Sequence, residues 1–333
     1  MKFLIAGFGS TGHRHFTNLK ALGQEDILVY RTGKSTLPED RLAALEGHPV
    51  EYDLDAALAH KPDAVIVANP SSLHMDVAIP AAQAGCHLLI EKPIAASLDR
   101  LDDLHVALAS GRGRLLTGFQ FRFNPALQLA KERLASGALG RPLIARVHWG
   151  EYLPDWHPWE HYRQSYSARS DLGGGVALTL CHPFDYLRWL VGEVDAVQGF
   201  TRNTGTLGIE VEEQAEAHLV FAGGATGTVQ LDYLQRPKAH WLELLCTDGY
   251  LQWDDTTGYV KFFDNATGKQ EELPPAKDYE RNVMFMEQMR HFIDVVAGRA
   301  EPEVSLEDGI RVLQIALAVH QSAEEGAPVA LPA

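Results

Sequence analysis

Gly7-Phe8-Gly9-Ser10-Thr11-Gly12 decides the fold. The six residues follow the apolar run Phe3-Leu4-Ile5-Ala6 and open a helical pattern that closes at Gly23. A G-x-G-x-x-G between a strand and a helix is the fingerprint of dinucleotide binding. Its first glycine makes the tight turn, its second lets a pyrophosphate approach the backbone, and its third lets helix and strand pack closely. Phe8, Ser10 and Thr11 are thereby placed beside a phosphate at a helix N-terminus.

Outward from the fingerprint, short β-rich runs at 3–6, 27–30, 64–68, 87–90 and 115–118 alternate with helical patterns. The helices at 12–22 and 74–84 end on Gly23 and Gly85, and Ser97 opens another with Leu98, Leu101 and Leu104 on one face. This alternation predicts an α/β Rossmann domain with a parallel, doubly wound sheet. From about residue 140 the strands lengthen, at 143–149, 194–202, 214–221, 226–233 and 240–247, with little helix between them. Thr226, Thr228, Gln230 and Asp232 alternate with Gly227, Val229 and Leu231, as in a sheet with one packed face. The second half therefore reads as α+β with a large, mostly antiparallel open sheet. Helical patterns at 281–297 and 306–325 close the chain and brace the halves, while the acidic residues after Asp248 read as solvated surface. A chain of 333 residues exceeds one core. The expected division is 1–120 for the dinucleotide and 121–333 for substrate and for self-association, as a homodimer or homotetramer.

The 29 basic and 44 acidic residues leave a net charge of −15, which argues against nucleic acid or anionic membrane as a partner. The three cysteines Cys86, Cys181 and Cys246 follow no metal-ligand spacing and suit a reducing cytoplasm. The opening apolar run is too short for a signal-peptide core, and no stretch reaches transmembrane length.

A carboxylate at the end of the second strand selects NAD(H) by holding both ribose hydroxyls. Here that position reads Tyr30-Arg31-Thr32-Gly33-Lys34-Ser35. Arg31, Thr32 and Lys34 offer cations and a hydroxyl to a 2′-phosphate, which favours NADP(H) over NAD(H). The competing reading is a solvated basic loop. Lys92 falls at the carboxyl edge of the sheet, where this fold places its ligand crevice. An ammonium there polarises a carbonyl and stabilises a developing alkoxide.

Beyond the fingerprint stand Ala68-Asn69-Pro70-Ser71-Ser72-Leu73-His74 and Ala84-Gly85-Cys86-His87-Leu88-Leu89-Ile90-Glu91-Lys92-Pro93. Gly118-Phe119-Gln120-Phe121-Arg122-Phe123-Asn124-Pro125, Gly173-Gly174-Gly175 with His182, and Glu307-Asp308-Gly309 follow. Together they resemble the glucose-fructose oxidoreductase/inositol dehydrogenase (Gfo/Idh/MocA) family over nearly the whole chain. The stretches 10–15 and 152–159 resemble a branch linked to surface-sugar metabolism. The resemblance implies a dehydrogenase or reductase acting on a sugar, polyol or nucleotide-sugar-like substrate. It places Asn69, Pro70, Ser71, His74, Glu91, Lys92 and Gln120 at the cofactor, Arg122 at the substrate, and a cis peptide at Lys92-Pro93. Two other readings stay open: a tightly held dinucleotide cycling through transient redox during sugar elimination or hydrolysis, and a non-catalytic dinucleotide-binding regulator.

Thr179, His182 and Tyr186 share one face of the helix expected after Gly175, with His182 as acid/base partner of Lys92. Many members of the family carry Asp where Thr179 stands, so the carboxylate must come from Asp185 or the proton from Tyr166. The segment carrying Trp156, His157, Trp159, His161, Tyr162, Arg163, Tyr166 and Arg169 reads as a substrate loop. Its His157 and His161 find no third ligand, so no metal is expected.

Overall fold

The computed structural model describes residues 1–33, 37–275 and 279–332. Lys34 lies outside the described residues. Among those described, six parallel strands run β1 (Phe3–Ala6), β2 (Ile27–Tyr30), β3 (Val50–Glu51), β4 (Ala64–Val67), β5 (His87–Glu91) and β6 (Leu115–Gly118), in spatial order 3-2-1-4-5-6. β1 and β4 are apolar along their whole length because helices cover both sheet faces, the demand a parallel sheet makes. The order reverses between β1 and β4, so the crevice at their carboxyl ends is the ligand position of a doubly wound sheet.

Among the described residues nine strands form the second sheet: β7 (Pro142–Gly150), β8 (Val194–Arg202), β9 (Gln214–Phe221), β10 (Thr226–Asp232), β11 (Ala239–Cys246), β12 (Gly249–Asp254), β13 (Val260–Asp264), β14 (Lys269–Leu273) and β15 (Val329–Ala330). All neighbours are antiparallel except β7 and β10. The alternation along β10 is as expected, Gly227, Val229 and Leu231 buried and Thr226, Thr228 and Gln230 exposed. After Asp248 the chain builds β12 and β13 through buried Leu251, Trp253, Val260 and Phe262, and of the acidic residues read as solvated surface Asp255 is instead largely buried beside His240 and Lys238. The charges concentrate on edge strand β14, where Lys269, Glu271 and Glu272 blunt an otherwise open edge.

Two further corrections concern helices. Leu98 is exposed, because the helix spans Leu101–Ser110 and starts after it, burying Leu101, Leu104 and Ala107. The helix expected after Gly175 is two helices, Val176–Thr179 and His182–Val191. Pro183 has no N–H to give the Thr179 carbonyl four residues back, so the first helix ends there. Leu306–Glu325 forms one helix, begun by a Ser305–Asp308 capping box, and packs along β8 and β6. Gly309 admits it: a Cβ there would lie 2.9 Å from Thr117 Oγ1. Among the described residues no helix is long and apolar enough to cross a membrane.

Candidate active site

The fingerprint turn has the shape its glycines demand. Gly7 sits at φ +95°, and a Cβ there would lie 2.6 Å from the Asn69 nitrogen. A Cβ on Gly12 would lie 2.1 Å from the Gly7 carbonyl oxygen, whereas one on Gly9 would meet nothing within 4 Å. Gly9 therefore borders open space at the start of the helix Ser10–Ala21, which has no side-chain cap and no acid in its first turn. Exposed N–H groups in an uncapped first turn fit the diphosphate of a dinucleotide. Phe8 is buried, edge-on to Phe16, so only its backbone faces the turn. Ser10 and Thr11, in the first helical turn, are half-buried.

Arg31 follows β2, and its Nε is buried with no protein partner, while Thr32 is exposed. After β4, Asn69 donates to Leu73 O at 3.0 Å and leaves its Oδ1 buried and unpartnered. Pro70 starts a single 3-10 turn, and Ser71 lies within 3.4 Å of the Leu172 and Gly173 carbonyls. His74 and Glu91, expected at the cofactor, are spent elsewhere. The buried His74 ring sits between two crevice loops, Nδ1 3.1 Å from Ile94 O and Nε2 2.9 Å from Asn69 O, and its one N–H as a neutral ring donates to one of the two. Glu91 lies 2.7 Å from His15 Nε2. Burial opposes the Glu91 charge, but His15, Lys92 and Arg14 outweigh it and hold its carboxyl below the usual range.

Lys92 follows β5 through a cis Lys92-Pro93 peptide. Its Nζ donates at 2.5 Å to the Thr179 carbonyl, the oxygen that Pro183 leaves without a helical partner. His182 begins the next helix, buried between Phe119, Phe121 and Trp149. Its Nε2 lies 3.1 Å from the Gln120 amide nitrogen, and its Nδ1 is buried with no protein partner. Burial first, then repulsion from Lys92, pushes its pKa far below the ordinary histidine value, so the ring is neutral at pH 7.

Thr179 Oγ1 faces the phenols of Tyr166 and Tyr233 without hydrogen-bonding geometry to either. Tyr166 OH lies 3.4 Å from Ser71 Oγ, and burial raises its pKa to about 12. Asp185 does not replace the missing carboxylate. It is fully buried against Arg122, which donates to it at 2.7, 3.1 and 3.2 Å and also to Asp308 at 3.0 Å. Arg122 is in turn withdrawn from any substrate, and its two carboxylates hold it protonated. Tyr186 is likewise absent from the crevice, its OH 3.2 Å from His240 in the core.

The aromatic segment divides. Arg163 turns to Leu207 O at 2.8 Å and borders a groove with Arg169, Gly208 and Glu210. Trp156 meets Tyr233 edge-on, while Trp159 lies under Arg41 and tilts against His157. Pro183 and the Thr179 carbonyl escaped the sequence reading. The missing N–H four residues after Thr179 was the available signal.

An open glycine turn at a topological switch point, with a lysine and a neutral histidine converging beside it, defines a dinucleotide-dependent oxidoreductase. Residues 1–119 match the model of the oxidoreductase family with an NAD-binding Rossmann fold, and 127–252 match the GFO/IDH/MocA C-terminal domain. The chain belongs to the Gfo/Idh/MocA family. It is 28% identical over 295 residues to D-xylose 1-dehydrogenase (NADP(+)) 2 of Haloferax volcanii, covering 86% of each chain. It is 26% identical to myo-inositol 2-dehydrogenase of Thermotoga maritima, covering 99% of this chain and 98% of that one. The WlbA dehydrogenase of Bordetella pertussis, solved with NADH and UDP-GlcNAcA, superposes with a TM-score of 0.82 at 26% identity, over 100% of this chain and 99% of that one.

Proposed function

We propose that this protein is an NADP(H)-linked dehydrogenase or reductase of a sugar, polyol or nucleotide sugar, with residues 1–120 serving the cofactor and 121–333 the substrate. The observation that carries the reading is the buried His182 Nδ1, left without a protein partner one turn after the Thr179 carbonyl that holds Lys92. Buried polar atoms are nearly always paired, so this nitrogen suits an oxygen-bearing ligand. The nicotinamide supplies a hydride acceptor when bound.

In the oxidation direction Lys92 spends one N–H on Thr179 O and has two left to hold the substrate hydroxyl oxygen. With the Gln120 amide turned so that its Oε1 accepts from Nε2–H, His182 presents a lone pair at Nδ1. With that acceptor bound, His182 Nδ1 would take the O–H proton as the carbinol carbon is oxidised to a carbonyl. The resulting imidazolium, disfavoured by burial and by Lys92, loses its proton readily. Thr179 brings a hydroxyl that orients substrate and carries no charge, so proton transfer rests on His182. Family members named for D-xylose and myo-inositol support a carbinol substrate. The buried, unpartnered Arg31 Nε and the lack of a carboxylate in the residues directly after β2 support a 2′-phosphate.

The test is a panel of pentoses, hexoses, inositols and UDP-sugars assayed at 340 nm with NADP⁺ and NAD⁺. Turnover favouring NADP⁺ at least tenfold, lost in Arg31→Ala, is expected. Equal use of NAD⁺ refutes the 2′-phosphate clause, and absence of turnover across the panel refutes the substrate class.

A further inference from the structure

The segment between β7 and the helix Val176–Thr179 reads from sequence as a substrate loop, yet its neighbours are of another kind. Trp156 meets the Tyr233 ring edge-on with centroids 5.5 Å apart. The Tyr233 phenol faces Thr179, whose carbonyl holds Lys92. Three residues later the Arg41 guanidinium carbon lies 4.0 Å over the Trp159 ring. Arg41 belongs to the short helix Glu39–Leu42 that follows β2, the adenosine side of a doubly wound sheet. Between the two tryptophans lies His157, half-buried, with Nδ1 unpartnered and the charges of Arg14 and Arg41 acting on its ring. Arg14 stands in the helix that the fingerprint opens, its guanidinium over Phe285 at 4.2 Å. The segment thus starts at the Lys92 end of the crevice and finishes at the β2 end. Between its ends the His157 ring lies in the field of Arg14, on the helix that the fingerprint opens, so the segment joins the two ends that a dinucleotide would span.

We propose that residues 156–160 form a strap over the bound dinucleotide, with His157 and Trp159 as residues of the cofactor site. Trp159 fixes the Arg41 guanidinium by cation–π contact at the adenosine end, and His157 Nδ1 meets the diphosphate. Cofactor release then requires the strap to lift. The inference rests on the dinucleotide reading of the crevice, but not on the choice between NADP and NAD, because the diphosphate is common to both.

The experiment is stopped-flow fluorescence of NADPH chased with excess NADP⁺, and of NADH chased with excess NAD⁺. Wild type, Trp159→Ala, Trp159→Phe, His157→Ala, Arg41→Ala and the Trp159→Ala/Arg41→Ala double variant are compared. Trp159→Ala is expected to release both cofactors about tenfold faster. Trp159→Phe keeps most of the retention, and the double variant releases no faster than the quicker single. Substrate KM, measured at saturating cofactor, stays within about twofold, and cofactor-free melting temperatures stay close to wild type, which separates a strap from general destabilisation. Unchanged release in both Trp159→Ala and His157→Ala overturns the strap, as does a raised substrate KM with unchanged release. If wild type binds neither cofactor, the dinucleotide reading itself falls and the strap with it.

Discussion

Replacing Asp185 by Asn separates structural from catalytic roles for the carboxylate nearest His182 in sequence. Asp185 is buried beside Arg122 and accepts three hydrogen bonds from it, at 2.7, 3.1 and 3.2 Å. Breaking a buried pair by removing one charge costs about 3–5 kcal/mol, chiefly because the other charge stays behind. Arg122 keeps Asp308 at 3.0 Å and Glu303 O at 3.1 Å, which places the expected loss near the lower limit, about 3 kcal/mol. For a chain of this size that lowers Tm by roughly 4 °C. Differential scanning fluorimetry and urea titration read the loss, and kcat/KM measured well below Tm reads the chemistry. The account expects a clear fall in stability with kcat/KM within about threefold of wild type. An unchanged Tm accompanied by loss of turnover would place Asp185 in proton transfer and refute the reasoning.

Other perturbations have equally definite outcomes. Gly9→Ala points its methyl into open space, so Tm holds while cofactor affinity falls by roughly tenfold or more; Gly12→Ala, with its Cβ 2.1 Å from Gly7 O, loses about 1–3 kcal/mol of stability. Equal melting temperatures for the two variants would contradict the turn geometry. Burial lowers the pKa of both His74 and His182 in the folded chain, so below the unfolded value near 6.5 the unfolded state takes up protons that the folded state refuses. Stability is therefore fully present above that pH and falls on acidification by up to about 1.4 kcal/mol per pH unit for each ring, a slope that His182→Phe reduces in urea titrations between pH 7 and 5. The same neutral ring makes substrate oxidation insensitive to His182 titration from pH 6 to 8, whereas carbonyl reduction quickens toward acid. A pH–rate profile for oxidation that breaks near 6.5 and loses the break in His182→Phe would count against this.

The dinucleotide half was legible because its signals are local. A parallel sheet buried on both faces needs uniformly apolar strands, and glycines punctuate its turns, so β1, β2, β4, β5 and β6 stand out, while the two-residue β3 leaves no period to read. β12 to β14 were masked because their exposed faces carry the acids that imitate a solvated loop. At the site, Lys92 and His182 were recognisable by position, but the partners of Arg122 and Asp185 were not. Those residues are 63 apart in sequence and meet only when the helix His182–Val191 docks beside the turn Gln120–Phe123. Helical spacing put Thr179 and Tyr186 on one face with His182. The Pro183 break instead turns the Thr179 carbonyl to Lys92 and leaves Tyr186 in the core.

The central claim is that Lys92 and the glycine turn together make a dinucleotide-dependent oxidoreductase. Its most direct test pairs fluorescence titration of NADPH and NADH with turnover at 340 nm on the sugar and polyol panel, for wild type and Lys92→Met. The account predicts that wild type binds and turns over, and that Lys92→Met binds within about threefold while losing about a thousandfold or more in kcat. Full activity in Lys92→Met, or a wild type that binds neither cofactor, would contradict it.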